Sequence, residues 1–236
     1  MRLLTFLGWI IPLTLILAAC ASPAQTPVPT TIPTQPAAQA TQASGSPGQT
    51  VFVVDTNQSQ ASYTVQEQFF EKALPKLGIK PGQKTVVGVT KQVEGEIRVN
   101  LQDLTQPPTG TVIRVNLTDL KTDQSRRDKW IQENGPSFLK YPVATFEATR
   151  IRNAPSAYQP GDEVTFQLEG NLTIRDVTKP AVFDVKAKIA DGVLIGTAST
   201  QIKMSEFGIE PPNFANTLTV GDDVIINVDR VAKPVP

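Results

Sequence analysis

From Val51 to the end of the chain, hydrophobic and polar side chains alternate with a period of two, the repeat of a strand with one apolar face. Val164, Phe166, Leu168, Gly170, Leu172 and Ile174 interleave with Thr165, Gln167, Glu169, Asn171, Thr173 and Arg175. Ile113, Val115 and Leu117 repeat the pattern, as do Phe183, Val185, Ala187 and Ile189, and Val224, Ile226 and Val228. Turn signals separate these runs: Pro107-Pro108-Thr109-Gly110, Gln159-Pro160-Gly161-Asp162, Arg175-Asp176 and the hairpin pair Asp191-Gly192. Strands joined by short turns predict an antiparallel meander, and closing it into a barrel removes the exposed edges.

Two segments break the alternation. Ser125-Arg126-Arg127-Asp128 has capping-box spacing and leads into Lys129-Trp130-Ile131, so a short helix is predicted between Ser125 and Asn134, with Trp130 and Ile131 plugging one barrel end. Arg126 and Arg127 are adjacent, point to different faces, and read as a solvated helix start rather than an anion site. From Glu67 to Val87, Phe69, Phe70, Leu74, Leu77 and Ile79 sit among Pro75, Gly78, Pro81 and Gly82, an excursion that suits either a flap over a barrel mouth or a loop packed on the wall.

The first 50 residues have another character. Arg2 precedes an apolar run from Leu3 to Ala19 broken by Thr5, Gly8, Pro12 and Thr14, the pattern of an export signal. Its exit, Leu17-Ala18-Ala19-Cys20, resembles the bacterial lipobox, which implies a signal peptide over residues 1–19, cleavage before Cys20 and acylation of its thiol; the alternatives are an uncleaved membrane anchor or an ordinary signal peptide with an incidental Cys. The protein is then expected on the extracytoplasmic face of a bacterial membrane in the cell envelope, anchored by lipid, with its single Cys consumed. Residues 20–50 comprise that Cys and a segment of Ala, Thr, Pro, Gln, Ser and Gly without charge, with Val28 and Ile32 its only larger aliphatics; such a segment buries too little apolar area to offset its ordering entropy and reads as a disordered tether. Residues 51–236 form the folded domain.

Composition narrows the chemistry. The 236 residues contain no His, so Ser-His-Asp hydrolysis, Cys-His proteolysis and His-ligated metals are excluded. With 22 Lys+Arg against 22 Asp+Glu and no basic block, nucleic acid is not an expected partner. No cofactor, metal ligand set or catalytic residue is assigned. Glu94 and Glu96 alternate with Val93, Gly95 and Ile97 and face solvent; Asp222-Asp223 follows Gly221 in a turn and lacks the oxygen series of a calcium loop.

Small inward positions (Gly95, Ala144, Ala148, Gly170, Ala187, Gly196, Ala198) recur among large ones (Phe146, Phe166, Phe183), which allows either a dry interdigitated core or a cavity with aromatic walls. The same domain resembles the YceI-like family. The resemblance rests on an ordered set of motifs: Asp55-Thr56 with Ser59; Val93-Glu94-Gly95-Glu96-Ile97; Leu120-Lys121-Thr122-Asp123 with Arg127-Asp128; and Tyr141-Pro142 with Ala144 and Phe146. It continues through Gly170-Asn171-Leu172-Thr173-Ile174, Val177-Thr178-Lys179-Pro180, Phe207-Gly208-Ile209 and Val220-Gly221-Asp222. It implies an all-β, closed antiparallel lipocalin-like barrel of about eight strands with one short helix, hollow, and enclosing a polyisoprenoid or similar amphiphilic lipid. Many relatives carry His near the first strand pair; here Gln58 and Gln60 flank Ser59, so no His-dependent contact transfers.

The expected lining is the inward set Ile113, Val115, Leu117, Phe146, Phe166, Leu168, Leu172, Phe183, Val185 and Ile226, with Phe69, Phe70, Phe207 and Phe214 toward the mouth. The reading is a non-enzymatic lipid-binding protein for sequestration or transport; the alternative is an envelope scaffold or interaction module with a packed core. A homodimer is compatible with either.

Overall fold

The structure, a computed structural model, describes residues 48–71, 81–215 and 217–235. The expected signal peptide, Cys20, nearly all of the tether, and Leu74, Leu77 and Ile79 lie outside the described residues. The strands are β1 (Thr50–Val54), β2 (Gln60–Phe69), β3 (Gly82–Thr90), β4 (Val93–Val99), β5 (Val112–Asn116), β6 (Val143–Arg152), β7 (Glu163–Ile174), β8 (Val177–Ala190), β9 (Val193–Lys203), β10 (Asn213–Phe214), β11 (Leu218–Val220) and β12 (Asp223–Pro234). The helix α1 (Ser125–Glu133) falls between β5 and β6. Among the described residues no helix is long and apolar enough to cross a membrane.

Pairing runs β1-β4-β5-β6-β7-β8-β9-β12, and β12 returns to β1, so eight antiparallel strands close a barrel. Beyond β1, β12 pairs with β2, which in turn pairs with β3. β1 and β2 are thus two segments lying along one edge of β12, and β3 and β4 are their two partners. The β8–β9 hairpin turns at the expected Asp191-Gly192, both with positive φ (51° and 77°), the requirement of a type I′ turn.

The break between β1 and β2 is stitched by side chains. β12 runs on past it, leaving Val231, paired with Ile195 of β9 on its other edge, without a ladder partner on this one. The amide of Asp55 donates to the Val231 carbonyl at 2.7 Å, and the Ser59 hydroxyl, 2% exposed, accepts from the Val231 amide at 3.1 Å and donates to its carbonyl at 3.3 Å. Thr111 does the same for Arg98 beyond the β4–β5 pairing, accepting from its amide at 2.8 Å and donating to its carbonyl at 3.0 Å. Buried polar backbone is satisfied even where the ladder lapses.

Four sequence expectations are corrected. The Glu67–Val87 excursion is shorter at both ends, because β2 continues through Phe69 and β3 begins at Gly82, in register with each other. The folded region starts at Thr50, paired with Val99, rather than at Val51. Ser125 does not cap α1: the cap position is Gln124, and the Asp128 carboxylate reaches back instead to accept from the Thr122 amide (2.8 Å) and hydroxyl (2.7 Å). Arg127 is not a solvated helix start, as the site below shows.

Asp55 carries the closure into the pH response. Hydrogen bonding to Lys233, at 2.7 Å, and to Gln58 and the Asn57 amide holds its carboxyl down at about 2. A carboxyl depressed in the folded state stabilises above its unfolded value near ~4 and loses that contribution as pH falls toward ~2. Urea unfolding across that window should show a shallower acid loss of stability for Asp55→Asn than for the unaltered protein; coincident slopes would show that the bridge contributes nothing.

Candidate functional site

The barrel interior holds two cavities, of about 550 Å³ and about 90 Å³, with Ile113, Phe146, Phe183 and Val228 lining both. The Phe146 and Phe183 rings meet edge to face with centroids 4.7 Å apart, a favoured aromatic geometry. Gly170 makes room for them: a Cβ there would lie 2.6 Å from the Phe146 ring and 2.3 Å from the Glu147 carbonyl.

The larger cavity lies within the roughly 300–1,000 Å³ typical of small-molecule sites. Of the expected lining, Ile113, Val115, Leu117, Phe146, Leu172, Phe183 and Ile226 stand on its wall, together with Phe69, Phe207 and Phe214. Phe166 and Leu168 line the smaller one. Val185 lines neither: it is 2% exposed and locked among neighbouring core side chains. Phe70 lines neither as well, because it sits one residue past β2 and is 38% exposed. Trp130 and Ile131 of α1 face the larger cavity, and Trp130 meets Phe214 edge to face at 5.7 Å. Lys84, Gln124 and Arg126 add polar groups to an otherwise mainly apolar wall.

Sequence reasoning missed a charge pair on this wall. Along β2 the inward row is Ala61, Tyr63, Val65, Glu67 and Phe69, so Glu67 is buried, 4% exposed. Arg127 clamps it with two parallel bonds, Nε to Oε1 at 2.8 Å and Nη2 to Oε2 at 2.9 Å, and uses Nη1 on Asp123 (2.6 Å) and Thr122 (3.1 Å). This bidentate fork fastens α1 to β2. The signal was present in the sequence: Glu67 falls in phase with the apolar positions of its strand. Tyr63 shares that row, and burial pushes its phenol far above its ordinary value, so it presents a neutral ring and hydroxyl to the cavity.

Glu67 is the one carboxylate among the described lining residues of the larger cavity, and Arg127 occupies both its oxygens. A two-carboxylate acid–base arrangement is therefore not assembled there. Glu96 is bound to Arg98 at 2.6 Å and lines neither cavity. Asp222 accepts from the Ser205 amide and hydroxyl, and Asp223 pairs with Lys203 at 2.9 Å; these bonds hold both carboxyls below the usual range and give both residues structural work. No group of three or more acidic, His or Cys residues that could hold a metal occurs among the described residues.

Residues 52–232 match the model of the YceI-like domain. The chain belongs to the YceI-like domain family. A UPF0312 protein of Azotobacter vinelandii is 31% identical over 138 residues, covering 53% of this chain and 66% of that protein. A UPF0312 protein of Yersinia pestis is 35% identical over 75 residues, covering 30% of this chain and 34% of the relative. The chain thus spans less than two thirds of the length of either curated relative. Two solved structures share the fold of this YceI-like domain. BcnA of Burkholderia cenocepacia superposes with a TM-score of 0.57 at 17% identity, over 76% of this chain and 99% of that one. A polyisoprenoid binding domain from Saccharophagus degradans, implicated in plant cell wall breakdown, gives 0.56 at 12%, over 78% and 98%.

Removing one partner of a buried ion pair strands the other charge, at a cost of about 3–5 kcal/mol, whereas replacing both by apolar groups is often neutral. Arg127→Ala in the YceI-like domain strands the buried Glu67 carboxylate and should lose stability on that scale in urea unfolding, and the double variant Glu67→Leu with Arg127→Met should recover most of it. Additive losses would mean that the two side chains are not coupled.

Proposed function

We propose that this YceI-like barrel binds one isoprenoid-type or similar amphiphilic lipid in its larger cavity, for sequestration or transport and without chemistry. The observation that carries the reading is the 550 Å³ interior space itself, walled mainly by aliphatic and aromatic side chains. A packed scaffold would fill that space, since protein interiors are close-packed and empty voids are few and small. Membership of the family, and the likeness to a domain described as polyisoprenoid-binding, support a lipid over other apolar ligands. Burying about ten isoprenoid carbons would contribute on the order of 8 kcal/mol at roughly 0.8 kcal/mol per methylene, before ordering costs. Affinity would follow cavity volume and apolar lining more than any single charge.

The second part of the proposal concerns place. The Arg2-led apolar run ending in Leu17-Ala18-Ala19-Cys20 supports a lipid anchor at Cys20, with the barrel on the extracytoplasmic side of a bacterial membrane. A tether of about thirty residues would let it reach a lipid leaving one membrane or entering another.

Native mass spectrometry of protein purified without detergent, followed by organic extraction, tests the first part: a stoichiometric apolar adduct is expected. A clean apo mass that persists after incubation with quinones and polyprenols would return the barrel to the scaffold class. For the anchor, Cys20→Ser should move the protein from the membrane to the soluble fraction on ultracentrifugation with its fold unchanged; a variant that still sediments with membranes would refute acylation at Cys20.

A further inference from the structure

The smaller cavity has a chemistry of its own. Arg230 lies on β12 in phase with Val224, Ile226, Val228 and Ala232, so its side chain turns into the barrel and is 7% exposed. Across the sheet it faces Gly196 of β9. It stands on the wall of the 90 Å³ cavity beside Phe166, Leu168, Phe183 and Leu194. Its Nε is buried with no hydrogen-bond partner, and it forms no ion pair with the described residues. The lining carries three cations, Arg98, Lys188 and Arg230, and no carboxylate. Arg98 is bound to Glu96, and Lys188 points outward on β8. Asp229, the acid that acts on Arg230, is its sequence neighbour on the other face of β12, where it accepts from Gln60 at 3.0 Å.

Burial lowers the Arg230 guanidinium to about 10, which still leaves it cationic at neutral pH. A charge taken out of water needs a partner, and the other buried charges here have theirs: Glu67 has Arg127 and Asp128 has Thr122. The space in front of Arg230 exceeds what one water needs, roughly 10–15 Å³, so a small anionic group fits. We infer that the smaller cavity is an oxyanion site in which the Arg230 guanidinium pairs with a carboxylate or phosphate brought in from outside the chain. Two sources share that chemistry. One is the acidic end of an amphiphile whose chain passes the Phe146–Phe183 partition into the larger cavity, which rests on the lipid reading above. The other is a free inorganic anion, which does not.

The test uses the purified full chain. Binding of palmitate and of hexadecanol, equal in chain length and different in head group, is compared by isothermal titration calorimetry. For a head seated on Arg230, palmitate should bind at least tenfold more tightly, and the carboxyl resonance of [1-13C]palmitate should stay at its ionised position from pH 8 to pH 4. In Arg230→Met the tenfold preference should fall below threefold while hexadecanol binding is retained. Should that variant not fold, the palmitate resonance in the unaltered protein still decides, because a head left in solvent would titrate as an ordinary carboxylate. The free-anion source predicts no palmitate preference but a thermal midpoint that rises with inorganic phosphate at constant ionic strength, in the unaltered protein and not in Arg230→Met. Equal palmitate and hexadecanol affinities together with no phosphate effect would overturn the oxyanion site. Failure of palmitate, hexadecanol and a prenol alike to bind would overturn the lipid reading alone, and the phosphate arm would still judge Arg230.

Discussion

Closure of the barrel rests on one strand serving two partners. β12 is twelve residues long and straddles a break: its second half pairs with β1 and its first half with β2. At the break the ladder on that edge of β12 lapses, and the part-buried amide and carbonyl of Val231 would be left bare. A single hydroxyl, Ser59, satisfies both, with the Asp55 amide as a second donor. The stitch matters because removing a partner from a buried polar group costs its full desolvation. It also explains why the sequence around Asp55 and Ser59 carries family resemblance although neither residue touches a cavity. The β3–β4 break follows the same logic: the buried Thr90 hydroxyl donates to the Asn116 carbonyl at 3.0 Å and accepts from the Gln92 amide at 3.2 Å.

Breaking two strands changes what the barrel can contain. β2 and β3 extend past the closed ring as a hairpin, and α1 is clamped onto its inner row by the Glu67–Arg127 fork. The larger cavity occupies the space between these added elements and the ring, whereas the smaller one is walled by strands of the ring itself, β4 to β9 and β12. The partition between them is aromatic and depends on Gly170, where any side chain would collide with Phe146. Volume is therefore set by a few small residues, while hydrophobic transfer, which is non-directional, supplies attraction without orientation.

Much of this was legible in the sequence because a strand's period is two and its faces are fixed by parity. The long β7, the Asp191-Gly192 hairpin, the short helix carrying Trp130 and most of the wall follow from that rule. Glu67 and Arg230 were legible by the same parity and were passed over, since each interrupts an apolar row with a charge and invites reading the row as ended. Arg127 and Asp128 were not legible in that way. Their partners, Glu67 sixty residues away and Thr122 outside the helix, exist only once α1 docks on β2. Val185 shows the converse limit: parity places it inside, but whether an inward residue meets a void or a neighbour depends on packing across the barrel.

The two missed charges differ in a way that bears on orientation. An amphiphile in a hollow barrel is held by its apolar length, which is indifferent to direction, so its polar end must be sorted by polar groups in the wall. At the helix end the buried charges already satisfy one another, and Lys84 and Arg126 remain as rim cations, Lys84 paired with Asp123 at 2.5 Å. At the Arg230 end the buried Nε has no hydrogen-bond partner among the described residues, and a charge-assisted contact there is stronger than at a wet rim. A neutral isoprenoid gains nothing from that guanidinium and would leave its polar end toward the rim. An acidic amphiphile would gain most by turning the other way, so on the proposed reading the same apolar cavity would orient its ligand according to charge.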